Sequence, residues 1–363
     1  MKNIGLTGLC LFVIISVSAQ TRHDAVLETA AELGAFKPIG VSVTSNNRLF
    51  VSFPKTDGPY TMGLSEIVDG KRMPYPNADW NTEGDAAAHF VNVQDLCVDG
   101  SDNLWVLDSK PASKGNIFGG EETQAGQFKL LKINTHTNKV MQIYHFEDVD
   151  KAYSGLNDVR VDLDKNLAYL SDPGQAALIV LDLNTGKTRK VLEKTPYTLA
   201  DTSLILSYDG IAMQNKAGTP FRSNVNGIAL THDFKYLYFK PINQTHLFRV
   251  ETRYLAQPAL SDAELQAKVE DMGEVGVTHG LLADKQGNIY LTTSLDYTIK
   301  YVSPDGTLHT LVQDKRLLWP DSMGIGSDGY LYVSCAQLPR DPQWNNGKSR
   351  VELPYRVFKV KLP

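Results

Sequence analysis

Short apolar stretches separated by polar turns recur along the whole chain, and one arrangement repeats. A short apolar strand leads through a turn holding Asp, Asn or Gly into a second strand built on an aliphatic–aromatic pair. The copies run from Ile39-Gly40-Val41 to Leu49-Phe50-Val51, from Gln94-Asp95-Leu96 to Leu104-Trp105-Val106, and from Asn157-Asp158-Val159 to Leu167-Ala168-Tyr169. Three more run from Asn226-Gly227-Ile228 to Leu237-Tyr238-Phe239, from His279-Gly280-Leu281 to Ile289-Tyr290-Leu291, and from Asp321-Ser322-Met323 to Leu331-Tyr332-Val333. The second-strand Leu or Ile stands at 49, 104, 167, 237, 289 and 331. Intervals of roughly 40–70 residues each hold a four-stranded antiparallel sheet with its loops, the size of a propeller blade.

Six copies predict an all-β fold, a six-bladed β-propeller, where a sandwich or jelly roll would not repeat one two-strand signature six times. Two stretches read as helical: residues 24–33, and residues 261–268, where Ser261 and Glu264 have the spacing of a capping box. Residues 355–362 alternate as a strand does and are expected to pair into the first or last blade, closing the ring.

Composition agrees. The 363 residues are 42% hydrophobic and 21% charged, with 28 Gly and 17 Pro, so the chain can bury a core and needs many turns. A formal charge of -5, with no basic run longer than two residues, argues against a nucleic-acid partner. Residues 1–19 read as a cleaved signal peptide: Lys2, an apolar run from Ile4 to Ile15, then Val17-Ser18-Ala19 before Gln20. That makes residues 20–363 one propeller domain, secreted or periplasmic, with no membrane span and expected to be a monomer. Cys97 and Cys335 lie in strand-like runs without a CxxC or Cys/His companion; a disulfide between them and two buried thiols are both open.

The first residue of each inner strand points toward the central channel. That position holds Ile39, Gln94, Asn157, Asn226, His279 and Asp321, five of them polar. Converging amide, imidazole and carboxylate groups are costly to desolvate unless they meet water, a metal or a ligand. Gln94, Asn157, Asn226, His279 and Asp321 are therefore the candidate ligand contacts, with His279 and Asp321 as candidate catalytic groups should any reaction occur. Asn157, Asn226 and Asp321 also offer hard oxygens for one calcium or magnesium ion, and Asp95 and Asp158 stand one residue further in. A single carboxylate at the ring is a weak charge complement for such an ion. Ser322 beside Asp321, with His279 in the adjacent blade, has the composition of a triad but no nucleophile-elbow motif. Aromatics and prolines gather in the long loops 55–60, 73–80, 197–213 and 319–320, where they either wall a ligand, an amine by cation–π contact, or pack between blades.

The order of several motifs resembles the Yellow and major royal jelly protein family, in a bacterial-type version. Its carriers are Arg48-Leu49-Phe50-Val51-Ser52-Phe53-Pro54, Pro74-Tyr75-Pro76, Leu104-Trp105-Val106-Leu107-Asp108, Leu237-Tyr238-Phe239-Lys240-Pro241 and Trp319-Pro320-Asp321-Ser322-Met323-Gly324. The resemblance implies a secreted six-bladed propeller whose central cavity, in insect relatives, binds biogenic amines or is credited with dopachrome conversion. A more distant resemblance, carried by Asn157-Asp158 and Asn226-Gly227-Ile228, is to the gluconolactonase and senescence marker protein family, which implies a divalent metal held by a Glu, two Asn and an Asp. Here Ile39 and His279 stand where the Glu and the Asp would be, so a metal-dependent lactone hydrolase needs a reorganised site. A protein-interaction scaffold is the third reading, since propellers host unrelated functions.

Overall fold

The computed structural model describes residues 25–54, 62–116 and 125–363; the signal peptide expected at residues 1–19 and the loop at 55–60 lie outside the described residues. Six four-stranded antiparallel sheets follow one another along the chain. Blade 1 comprises Val41–Val43, Leu49–Ser52, Leu64–Val68 and Lys71–Pro74. Blade 2 comprises Val93–Val98, Asn103–Lys110, Gln127–Asn134 and Lys139–Tyr144, and blade 3 Val159–Asp162, Leu167–Asp172, Ala177–Asp182 and Thr188–Val191. Blade 4 comprises Val225–Leu230, Tyr236–Pro241, His246–Glu251 and Glu270–Glu274, and blade 5 Thr278–Ala283, Ile289–Thr293, Thr298–Val302 and Leu308–Gln313. Each predicted repeat is the first two strands of one blade.

Blade 6 is shared between the two ends of the chain. Pro320–Ile325, Tyr330–Cys335 and Tyr355–Lys361 are joined by Leu27–Gly34 as the outermost strand. Leu27 pairs with Val360 and Gly34 with Tyr355, so the ring is closed as the terminal pattern predicts. The helix expected over residues 24–33 is corrected: the described part is strand, with Leu27, Ala31 and Leu33 buried and their neighbours mostly exposed. Its Leu, Ala and Glu favour helix, but helix propensity is a weak local term, and the open edge of Tyr355–Lys361 supplies a ladder that outweighs it. The capping box at Ser261 is present and starts a short helix, Asp262–Gln266.

The core lies between blades. Phe50 packs with Leu104 and Val106 between blades 1 and 2, and Trp105 with Leu170 and Ile179 between blades 2 and 3. A separate cluster is built from the connections: Tyr208, carried on a small hairpin of Ser207–Tyr208 and Ile211–Ala212, joins Phe221, Trp319 and Trp344. Cys97 and Cys335 are free thiols in blades 2 and 6. No helix among the described residues is long and apolar enough to cross a membrane.

Candidate channel-mouth site

In blades 4 and 5 adjacent inner strands approach so closely that a side chain is excluded. A Cβ on Gly227 would stand 2.3 Å from the His279 carbonyl oxygen, and one on Gly280 2.1 Å from that of Asp321. In blades 2 and 3 the same position carries Asp95 and Asp158, whose carboxylates accept from backbone of the next blade: Val159 N at 2.9 Å and Ile228 N at 3.4 Å. These contacts hold the preceding ring residues at fixed positions around the axis.

Five of the six ring residues, Ile39, Gln94, Asn157, Asn226 and Asp321, line one cavity of about 230 Å³. Gln94 Nε2 donates to Asn157 Oδ1 at 3.1 Å, and Asn157 Nδ2 donates to Asp158 Oδ1 at 2.8 Å. Asn226 Nδ2 donates to Ser223 Oγ at 3.3 Å. Asp321 Oδ2 accepts from Trp319 Nε1 at 3.1 Å. Burial, and then the negative charge of Asp95, push the Asp321 carboxyl up to about 7 against the opposing Trp319 hydrogen bond. At the rim Lys37 Nζ binds both carboxylate oxygens of Asp341, at 2.7 and 2.6 Å.

His279 is not in the cavity lining. Trp319, whose φ of 53° turns its backbone into the left-handed region, stacks on the imidazole at 3.7 Å and stands between it and the cavity. Behind that indole, His279 Nε2 is 2.6 Å from Ser294 Oγ, which is 2.5 Å from Tyr208 Oη, while Nδ1 is buried without a partner. Burial, and then the nearby Lys240 charge, hold the imidazole well below its ordinary pKa, so it is neutral. Ser322 Oγ reaches Asp95 Oδ1 at 3.4 Å, and the partner of His279 is Ser294, so Ser322, His279 and Asp321 do not form a triad.

Two buried cations that sequence reasoning did not single out lie near the ring, Arg160 beside Asp158 and Lys240 near His279. Arg160 spans the channel: Nη1 lies 2.9 Å from Asp95 Oδ2 and Nη2 donates to the Leu281 carbonyl of blade 5 at 3.1 Å. Burial works against its charge, but Asp95 and Asp158 outweigh it and raise its pKa. Asp158 is held well above the usual carboxylate range by burial and by Asp95. Lys240 is fully buried, its Nζ donating to the Pro241 and Gln244 carbonyls at 2.9 and 2.8 Å, and burial brings its pKa down to about 7. A lysine inside an aromatic strand pattern was the available signal for it; Arg160 carried none, since its partners come from other blades. Of the loop aromatics, Trp319 lines the cavity, while Tyr75 packs on Phe50, Trp80 on Phe90 and Tyr197 on Phe248.

The donor set does not fit a divalent cation. Asn157 Oδ1 faces the Gln94 amide donor, Asp321 takes the Trp319 N–H, and a guanidinium crosses the channel below. Among the described residues no group of three or more His, Cys, Asp or Glu is placed to hold a metal ion. What the arrangement offers is a concave, partly apolar chamber with convergent amides and, in Asp321, a carboxyl that burial pushes up to about 7.

Residues 91–355 match the family profile described as major royal jelly protein. Protein yellow of Drosophila pseudoobscura pseudoobscura is 27% identical over 308 residues, covering 79% of this chain and 50% of its own length. Protein yellow of Drosophila melanogaster is 26% identical over 230 residues, covering 60% of this chain and 41% of its own. The chain thus spans half or less of these relatives' length. Among solved structures, a luciferin-regenerating enzyme superposes with a TM-score of 0.55 at 15% identity, covering 93% of this chain and 95% of its own. A gluconolactonase from Xanthomonas campestris gives 0.54 at 13% identity, with coverage of 94% and 90%. Both share the fold.

Proposed function

This chain belongs to the major royal jelly protein family, and from that premise we propose that it binds a small aromatic amine in the mouth of its central channel, the ammonium paired with Asp321. The observation that carries this reading is the convergence of five ring residues on one cavity, with the partly buried Asp321 carboxyl beside the Trp319 indole at its wall. Gln94, Asn157 and Asn226 supply orienting hydrogen bonds, and Ile39 and Trp319 supply apolar surface. An ammonium meeting Asp321 restores the charge balance that burial withholds from the carboxylate, and the indole face adds cation–π attraction. A conversion of the bound compound by proton transfer would run through the same carboxyl, whose pKa near 7 is matched to such a step. The protein works outside the cytoplasm, exported by the leader read in residues 1–19; N-terminal sequencing of the exported protein should begin at Gln20.

The test is a tryptophan-fluorescence titration with tyramine and with its uncharged analogue 4-ethylphenol. Tyramine should bind at least about tenfold more tightly, and Asp321→Asn should weaken it by about 1–3 kcal/mol while leaving 4-ethylphenol nearly unchanged. Equal affinity of the two compounds, or an Asp321→Asn variant that binds tyramine normally, refutes the assignment.

A further inference from the structure

A second cavity, of about 220 Å³, lies against blade 6 and shares no lining residue with the channel mouth. Four cationic side chains face it, Lys315, Arg316, Arg340 and Arg356, against one carboxylate, Glu352. Asp314 and Glu32, outside the lining, pair with Arg316 and Arg356, so the excess at the cavity is one positive charge, on a chain whose formal net charge is -5. Leu318 and Phe358 supply apolar wall, with the Arg316 guanidinium 5.4 Å over the Phe358 ring. We propose that this cavity binds a small multivalent anion, one carrying a phosphate group or several carboxylates.

The hydrogen bonding separates a fixed part from an exchangeable part. Arg316 is held in place by the Leu27 carbonyl at 2.8 Å and by Asp314 at 2.6 Å, so its position is set before any ligand arrives. Arg340 and Arg356 are paired with carboxylates that belong to the solvent side: Glu352, 2.7 Å from Arg340 Nη1, has a side chain 76% exposed, and Glu32, 3.2 Å from Arg356 Nε, one 60% exposed. Exposed ion pairs of this kind contribute little stability, so an incoming anion can take the place of either carboxylate at small cost. Arginine's planar fork then offers paired donors to phosphate or carboxylate oxygens. The backbone of Glu352 is tied to Gln337 in both directions, N–H to Oε1 at 3.0 Å and carbonyl from Nε2 at 2.9 Å. The Glu352 carboxylate can therefore move away without unseating the cavity wall.

The experiment is calorimetric titration of the purified protein with inorganic phosphate and with citrate, each at ionic strength matched by sodium chloride. At least one of the two should bind saturably, with chloride giving no heat; binding by phosphate alone identifies the phosphate group as the ligand chemistry, and binding by citrate alone a polycarboxylate. The double variant Arg340→Gln, Arg356→Gln should weaken binding by about tenfold or more, as loss of charge-assisted hydrogen bonds requires. Glu352→Gln, which leaves the closing strand intact, should tighten it severalfold by removing the competing carboxylate. Lys37→Gln, in the other cavity, should leave it unchanged. No saturable heat with either anion overturns the proposal, as does a Glu352→Gln variant that binds no better, or loss of binding in Lys37→Gln, which would put the anion in the channel.

Discussion

Asp321 ties sequence to chemistry more directly than any other side chain. A ring of entry residues was legible because the repeat aligns them, and five of the six do share one cavity. His279 does not, because the orientation of Trp319 is a tertiary outcome of the roof formed with Tyr208 and Phe221, which local pattern does not encode. The raised pKa of Asp321 has a consequence for stability. Between about pH 4, where an unfolded Asp titrates, and about 7, the folded state holds the proton more strongly, so stability falls as pH rises through that window and the penalty is fully present above it. Asp321→Asn should therefore melt higher than the parent protein at pH 8, with the difference shrinking toward pH 4; thermal denaturation across that range checks it. Burial also pushes the Cys97 thiol up to about 11 and the Cys335 thiol upward. Neither peptide should be alkylated in the native protein, and both should be in denaturant, as read by mass spectrometry.

The element scale explains why the aliphatic–aromatic signature repeats. In blade 2 the turn residue Asp99 accepts from Ser101 N, Asn103 N and Asn103 Nδ2, and its other oxygen accepts from Trp105 Nε1 at 2.9 Å. Blade 5 repeats the device with Asp284 and Tyr290 Oη at 3.1 Å, and blade 6 with Asp328 and Tyr332 Oη at 2.7 Å. The aromatic thus buries its ring between blades while its polar tip locks the preceding turn. Asp99→Ala leaves several buried donors unsatisfied and should cost about 2–4 kcal/mol in chemical denaturation, well above a typical surface substitution. A second recurrent link joins neighbours: Ser52 Oγ donates to Gln94 O at 2.9 Å, Ser171 Oγ to Asn226 O at 2.5 Å and Ser334 Oγ to Ile39 O at 2.6 Å. Asp158 hydrogen-bonds across its blade to Ser171, as Gly227 pairs with Lys240, so the lysine takes the hydroxyl's place in blade 4. The strand at Leu27–Gly34 was misread as helix because its pairing partner lies at the far end of the chain, beyond any local window.

For the molecule as a whole, the same terminal strand decides closure. Removing residues 25–34 bares one edge of Tyr355–Lys361 and exposes the apolar surface that Leu27, Ala31 and Leu33 cover. The truncated protein should lose several kcal/mol, on the order of 25 cal/mol per Å² of apolar area, and self-associate through the bare edge; calorimetry and light scattering read both effects. Six blades, their order and the C-terminal strand Tyr355–Lys361 were legible because each repeats or completes a local pattern. The role of Arg160 was not, since it joins residues from blades 2, 3 and 5 that only the closed ring brings together. The claim that joins fold to function is that a cationic ligand takes up the ionised form of Asp321 in the channel mouth. Isothermal titration of tyramine at pH 6 in two buffers of different ionisation enthalpy tests it, because the bound ammonium must expel the proton that burial keeps on the carboxyl. About one proton released per ligand at pH 6, falling toward zero above pH 8 and absent in Asp321→Asn, is the expected result; tyramine binding with no proton release at pH 6 would contradict it.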